Sequence, residues 1–345
     1  MNKLVRKLVV VCMSVFLAFA NSTICLANDN IVRYIAVEYG DFKFSLKEID
    51  AGEEGVVRIY SNNNARSIKG VVETKSLLYA LGYNEKYVEG LTINEVQKYA
   101  SASEIMVSSA YMKTDENGNT TYVNKETALE AVKVAREEEE TKINNLISGI
   151  ATAETEIDYE ENAYMHVIHG ASITGEICEM VVLAEWLTMP IIRSYDSVGA
   201  CGQYLNYLPE TGKCEISYDK KELVGGYVYN NTIETTSSDI TPASVDGWAG
   251  AAYIFKLPVD VVSSDYSILY SNYSVLFSYE GAITEPDQRL NFNTIGSYMH
   301  STIGLVFEPS ISIDTSGANA GIGISVVGIK DTMSVWLALS YVPED

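Results

Sequence analysis

Apolar and polar positions alternate along much of the C-terminal half of the chain. The clearest alternation lies at 311–315, 321–326 and 334–341, where Ile, Val, Leu, Trp or Tyr is interleaved with Ser, Gly, Asp or Ala. Successive side chains of a strand point to opposite faces of a sheet, so each run can bury one face and leave the other in water. The pattern therefore predicts a series of β-strands.

Further strand-like runs fill the region between residue 163 and these last segments. They lie at 164–173, 176–187, 191–195, 213–218, 226–235, 248–257, 266–279 and 295–307. So many strands without helices between them predict an antiparallel sheet protein, either a two-sheet sandwich or a sheet closed on itself. We expect an all-β sandwich domain over 163–342.

The N-terminal part has helical signals instead. Apolar residues at helical spacing predict helices at 71–81, 93–102 and 125–148. Thr92 and Glu95 have the spacing of a capping box, and Gly82 suits the left-handed position after a helix end. Between these helices, strands at 103–113 and 120–123 flank an Asn-Gly turn typical of hairpins.

These signals predict an α+β protein with two parts. A small helix-plus-hairpin domain at 31–150 precedes the β-sandwich, and the charged stretch 151–162 is the predicted acidic linker.

The first 27 residues have the order of a secretory signal peptide. Basic residues (Lys3, Arg6 and Lys7) precede an apolar run at 8–20, and small residues follow before Asn28. We expect cleavage after Ala27, with Ala20 as the second choice. The mature protein is then secreted and extracellular, with no stable membrane anchor.

Charge narrows the range of partners. The chain has 24 basic and 46 acidic residues and a formal net charge of -22. Such a protein repels nucleic acid and anionic lipid surfaces, so we expect no nucleic-acid partner. Acidic side chains also favour solubility, which is the simplest reason for the composition.

Three cysteines remain after removal of the signal peptide, at Cys178, Cys201 and Cys214. Cys201 and Cys214 flank a short segment that contains a turn, which makes them a candidate disulfide. The alternative is that the thiols stay free, and Cys178 lies in an apolar run where a free thiol is a small buried hydrophobe.

The sequence predicts no catalytic residue, metal site or cofactor. His166 and His169 are three residues apart in a predicted strand, an odd offset that places them on opposite faces, so they are poorly placed to share a zinc ion. His300 is the third histidine. No metalloprotease, nucleophile-elbow or phosphate-loop motif accompanies them.

Aromatic residues give the most direct indication of function. Tyrosine (24) is much more frequent than phenylalanine (8), and Trp248 and Trp336 lie in predicted strands, where they are candidate ligand contacts. Exposed aromatic rings form amphipathic surfaces for sugars or proteins. The alternative is that these rings line a half-buried sheet.

We therefore expect an exported, non-catalytic protein whose sandwich binds an extracellular ligand, either an envelope glycan or a partner protein. One alternative is a membrane-active protein, because the two alternating runs within 311–327 have the pattern of a lipid-facing hairpin. A second alternative is a secreted hydrolase of unknown type.

Overall fold

The computed structural model describes residues 32–50, 56–62, 70–115, 120–147, 163–190, 193, 195–245, 248–263, 266–301, 310–314, 321–325 and 330–341. The signal peptide, the linker at 151–162 and the Asn-Gly turn lie outside them.

In the described part of the chain, three strands precede the first helix: β1 (Val32–Tyr39), β2 (Phe42–Asp50) and β3 (Val56–Asn62). The described helices are α1 (Val71–Ala80), α2 (Glu85–Gly90), α3 (Ile93–Ser101) and α4 (Lys125–Ile147). The other strands are β4 (Glu104–Thr114), β5 (Thr120–Val123), β6 (Ala163–Thr174), β7 (Ile177–Trp186), β8 (Tyr195–Gln203), β9 (Leu205–Tyr207), β10 (Lys213–Val224), β11 (Tyr227–Ser237), β12 (Thr241–Val245), β13 (Trp248–Lys256), β14 (Val261–Val262), β15 (Tyr266–Ile283), β16 (Leu290–Ser301), β17 (Ser310–Asp314), β18 (Gly321–Ser325) and β19 (Lys330–Tyr341).

The strands form one large sheet, one smaller sheet and a separate pair. The large sheet has the order β1-β2-β3-β4-β6-β7-β15-β10-β11, with β5 on β4 and with β9 and β14 on β15. The smaller sheet has the order β12-β13-β8-β16-β19, and β17 pairs with β18. The antiparallel, β-rich fold with a few helices is thus confirmed.

The central strands of the large sheet are covered on both faces. One face packs on the smaller sheet through residues such as Met180, Phe277 and Phe292, and the other packs on the helices α1 to α3 through residues such as Leu77 and Leu183. β7 sends alternate side chains into these two cores. A strand buried on both faces has a nearly continuous apolar sequence, as 180–184 does.

The helical predictions are confirmed to within one residue at the helix ends. The side chain of Thr92 accepts a hydrogen bond from the backbone N–H of Glu95, and Glu95 accepts one from the N–H of Thr92 at 2.6 Å, which completes the capping box. Gly82 has a φ of 101° after α1. The short helix α2 was not predicted from the sequence.

The two predicted parts share the large sheet. β4 of the N-terminal part pairs with β6 of the C-terminal part along their whole lengths, from Glu104 opposite Ile173 to Thr114 opposite Ala163. The division at 151–162 therefore does not divide the sheet, and its status as a domain boundary stays a prediction.

Strand β8 was not expected over its full length. Its sequence is rich in Gly, Ala and Ser, which have low β-propensity. The neighbouring strand explains this composition, because a Cβ at Gly199 would lie 2.7 Å from the carbonyl oxygen of Ala251. The backbones of β8 and β13 therefore approach each other closely in the smaller sheet, and small residues are needed there whatever their β-propensity.

No described helix is long and apolar enough to cross a membrane.

Candidate functional site

The most exposed group of aromatic side chains lies at one end of the large sheet, where β10, β11 and β15 extend to the turn at 225–226. In the strand register, Val224 of β10 lies between Tyr227 of β11 and Tyr266 of β15. The next row on the same face includes Tyr229, opposite Glu222. Directly opposed residues share one face of a sheet.

These rings are open to solvent. The exposed fractions are 68% for Tyr227, 54% for Tyr229 and 44% for Tyr266, and Val224 between them is also exposed. We call these four residues the tyrosine face. Adjacent strands lie about 4.8 Å apart, so Tyr227 and Tyr266 are separated by roughly 10 Å across Val224.

The tyrosine face continues the sheet face that packs on the smaller sheet. Closer to that core, Tyr218 stacks on Tyr273 with ring centroids 5.6 Å apart, and Tyr218 also meets Tyr270 edge to face. Tyr273 is fully buried, whereas Tyr227 is mostly exposed. On this face of the large sheet, the aromatic side chains are thus buried near the smaller sheet and become exposed toward the 225–226 turn.

Polar groups lie beside the exposed rings. Lys220 forms a salt bridge with Glu222 on the same face of β10. At the tip, Gly225 and Gly226 have φ values of 57° and 82°, which suit the tight turn that joins β10 to β11. The face is therefore a two-row surface with aromatic rings and hydrogen-bonding groups.

Of the two predicted ligand contacts, the structure describes only the side chain of Trp248. Trp248 is only 8% exposed, so it does not offer the open ring that the prediction requires. The side chain of Trp336 lies outside the described part of the chain. The exposed tyrosines were not singled out from the sequence. The one local signal is the Gly225-Gly226 turn, which directly precedes Tyr227 and Tyr229.

The candidate disulfide is not formed. Cys178, Cys201 and Cys214 are all buried free thiols. Cys201 lies in the smaller sheet and Cys214 in the large sheet, so the turn between them joins two layers rather than a hairpin. Burial raises the pKa of the Cys201 thiol to about 12, so this thiol is unreactive at neutral pH.

The histidines lie on opposite faces of β6, as predicted. The ring of His169 is buried between the sheets, with Nε2 2.9 Å from Oγ1 of Thr294 and Nδ1 3.1 Å from the carbonyl oxygen of Val181. Its burial lowers its pKa to about 4. His166 instead stacks on Tyr111, on the face of β6 away from the smaller sheet.

His300 belongs to a buried polar network. Its Nδ1 lies 2.8 Å from Oδ1 of Asp196, and Tyr298 donates a hydrogen bond to the same carboxylate. Trp186 donates to the hydroxyl of Tyr298 at 3.0 Å. All four side chains are buried, so this network satisfies polar groups in the core without meeting solvent.

Among the residues that the structure describes, no group of three or more His, Cys, Asp or Glu is arranged to hold a metal ion.

No protein-family model matches this chain, and no curated protein matches it in sequence.

Proposed function

We propose that this is an exported protein that binds an extracellular glycan chain through the tyrosine face. The observation that carries the proposal is the exposure of Tyr227, Tyr229 and Tyr266 on one face of the large sheet. Tyrosine rings give flat apolar contact area with a hydrogen-bonding tip and lose little conformational entropy on binding. Pyranose rings have matching apolar faces edged by hydroxyl groups.

The spacing favours an extended polysaccharide. Tyr227 and Tyr266 lie about two strand spacings apart, roughly 10 Å, which is comparable to the length of a disaccharide unit in an extended chain. The salt-bridged Lys220 and Glu222 lie beside the rings and can exchange hydrogen bonds with sugar hydroxyls. The net charge of -22 disfavours anionic lipid as the occupant of this face.

The proposal includes secretion after removal of residues 1–27. It also includes the finer architecture, in which a sandwich formed by the two sheets carries the binding face and the helix-plus-hairpin part covers the other face of the large sheet.

The test is co-sedimentation of the chain from Asn28 with isolated cell walls and insoluble polysaccharides. We expect the protein to pellet with at least one of them and to be released by a soluble oligosaccharide. A variant with Tyr227→Ala, Tyr229→Ala and Tyr266→Ala should stay in solution. Tyr34→Ala, which removes an exposed tyrosine from β1, is the matched control and should pellet normally.

Equal pelleting of the triple variant and the wild type would refute binding by this face. Binding to a proteinaceous wall fraction that protease abolishes, with no binding to purified glycan, would replace the glycan with a partner protein.

A second candidate function is membrane activity of the β17–β18 hairpin. The two strands pair in a register that places Ile311 opposite Ile324 and Ile313 opposite Ile322. By alternation along the two strands, the four Ile positions fall on one face of the pair and the Ser, Gly and Asp positions on the other, which is a pattern typical of lipid-facing hairpins. The pair lies against β8, β12, β13 and β16.

Release of a dye from phosphatidylcholine vesicles tests this second candidate. Ile322→Glu should stop leakage, whereas Ser312→Glu, on the other face of the same pair, should reduce it much less. If the wild-type protein causes no leakage, or if both variants leak alike, the hairpin has no membrane role.

A further inference from the structure

A cleft lies between the helical layer and the large sheet, on the sheet face opposite to the smaller sheet. It has a volume of about 290 Å³. Its apolar wall is formed by Tyr87 of α2, Leu91 of the segment before α3, Leu183 of β7 and Leu276 of β15. The cleft is large enough for a small molecule or a single long side chain.

Most charged groups that line the cleft have partners. Lys86 lies 3.3 Å from Glu234, and Lys213 forms a salt bridge with Glu215. Glu95 accepts hydrogen bonds from the backbone and side chain of Thr92 in the capping box.

Glu179 is the exception. This carboxylate lines the cleft and is mostly withdrawn from solvent, and no described residue donates a hydrogen bond to it or forms a salt bridge with it. It lies opposite Glu280 in the register of β7 and β15. Lys98 of α3 is near, but its ammonium group bonds Glu280. The site therefore has more negative than positive charge.

We propose that the cleft binds a primary alkylammonium group, with the ammonium on Glu179 and the alkyl stem against the apolar wall. A desolvated carboxylate without a partner is unfavourable, and a cation with N–H donors supplies both the charge and the hydrogen bonds it lacks. Leu183 and Leu276, which are opposite each other on this face of the sheet, then pack on the methylene groups. This site is separate from the tyrosine face and does not depend on glycan binding.

The protonation of Glu179 makes this binding dependent on pH. Burial is the main cause that raises the pKa of Glu179 to about 7; Lys98 opposes the rise, and Glu280 and Glu95 add to it. The buried hydroxyls of Tyr83, Tyr87 and Tyr99 stay protonated, because burial raises their pKa values as well. Since an alkylammonium has an ordinary pKa near about 10.4, affinity should rise from pH 6 to pH 8 as Glu179 ionises.

The test is calorimetric titration of the chain from Asn28 with two ammonium probes, n-pentylammonium and Nα-acetyl-lysine N-methylamide. n-Pentanol is the uncharged control. We expect saturable binding of the ammonium probes, stronger at pH 8 than at pH 6, and no binding of the alcohol. Tighter binding of the lysine derivative identifies a basic peptide as the natural source, and tighter binding of n-pentylammonium identifies a free amine.

Glu179→Gln should weaken binding at least about tenfold, because it removes the charge while keeping the shape. Glu130→Gln, on the exposed face of α4, removes the same charge elsewhere and should bind as the wild type does. Absence of saturable ammonium binding, equal binding of pentanol, or unchanged affinity in Glu179→Gln would overturn the proposal. Glycan pelleting should persist in Glu179→Gln, which separates this result from the proposed function.

Discussion

Replacement of Glu179 by glutamine should stabilise the protein at alkaline pH. The folded-state pKa of about 7 lies above the ordinary value of 4.5. A carboxyl group whose pKa is raised by folding contributes its full stabilisation below pH 4.5. This stabilisation is lost as the pH rises through about 7, because the folded state must then hold a buried charge. The amide of the Glu179→Gln variant keeps the neutral shape at every pH.

The magnitude follows from the two pKa values. Each tenfold change in protonation equilibrium is worth about 1.4 kcal/mol, so a rise from 4.5 to about 7 corresponds to about 3 kcal/mol at pH 8. Near pH 4.5 the wild type and Glu179→Gln should be about equally stable. The difference in free energy of unfolding between the two proteins should increase as the pH rises and approach its full value at pH 8.

Urea unfolding at pH 5 and pH 8, followed by tryptophan fluorescence, measures this difference. Glu130→Gln is the control for a simple reduction of net charge, and its stability should stay within about 0.5 kcal/mol of the wild type. If Glu179→Gln is no more stable than the wild type at pH 8, then Glu179 already has a compensating partner. The reasoning behind the ammonium site would then be wrong.

Three other outcomes are expected. Burial lowers the pKa of His169 to about 4, so acid should remove about 3 kcal/mol of stability between pH 6.5 and pH 4, and His169→Gln should lack that part of the slope in urea unfolding. A Cβ at Gly170 would lie 1.7 Å from the hydroxyl oxygen of Tyr83, so Gly170→Ala should lower the free energy of unfolding by about 1–3 kcal/mol. A Cβ at Gly90 meets no atom within 4 Å, so Gly90→Ala should have nearly the wild-type stability in thermal unfolding. An aromatic disulfide reagent should find no reactive thiol in the native mature chain and three in denaturant, and a count of one would restore the disulfide.

The sequence predicted the strands well where side chains alternate clearly. β6 and β19 were anticipated because many of their apolar residues alternate, β13 was anticipated as a short, nearly continuous apolar run, and α3 was anticipated because its capping box is a local signal. β8 was missed because contacts with β13, which is distant in sequence, select its small residues. The local sequence pattern carries no information about contacts between strands that are distant in sequence.

The candidate sites could not be predicted for the same reason. Whether a tyrosine is buried or exposed depends on which other elements cover it: Tyr273 and Tyr266 lie on the same strand, yet Tyr273 is buried and Tyr266 is exposed. Trp248 was chosen for its residue type, yet it is buried. The importance of Glu179 depends on the position of Lys98 on a separate helix, which no spacing in β7 reveals.

The two faces of the large sheet differ in how accessible they are to a ligand from solvent. The face toward the smaller sheet is closed in its centre by an apolar core that includes Val182 and Phe277. A polar ligand can therefore reach this side of the large sheet where that core ends, as it does at the tyrosine face. The helical face has short helices and partly exposed charged residues, and it leaves a cleft above β7. The unpartnered carboxylate of Glu179 lies in this cleft, where the cation that we propose could reach it from solvent. In the closed core, the carboxylate of Asp196 instead has fixed partners in Tyr298 and His300, which is the arrangement expected where no ligand can arrive.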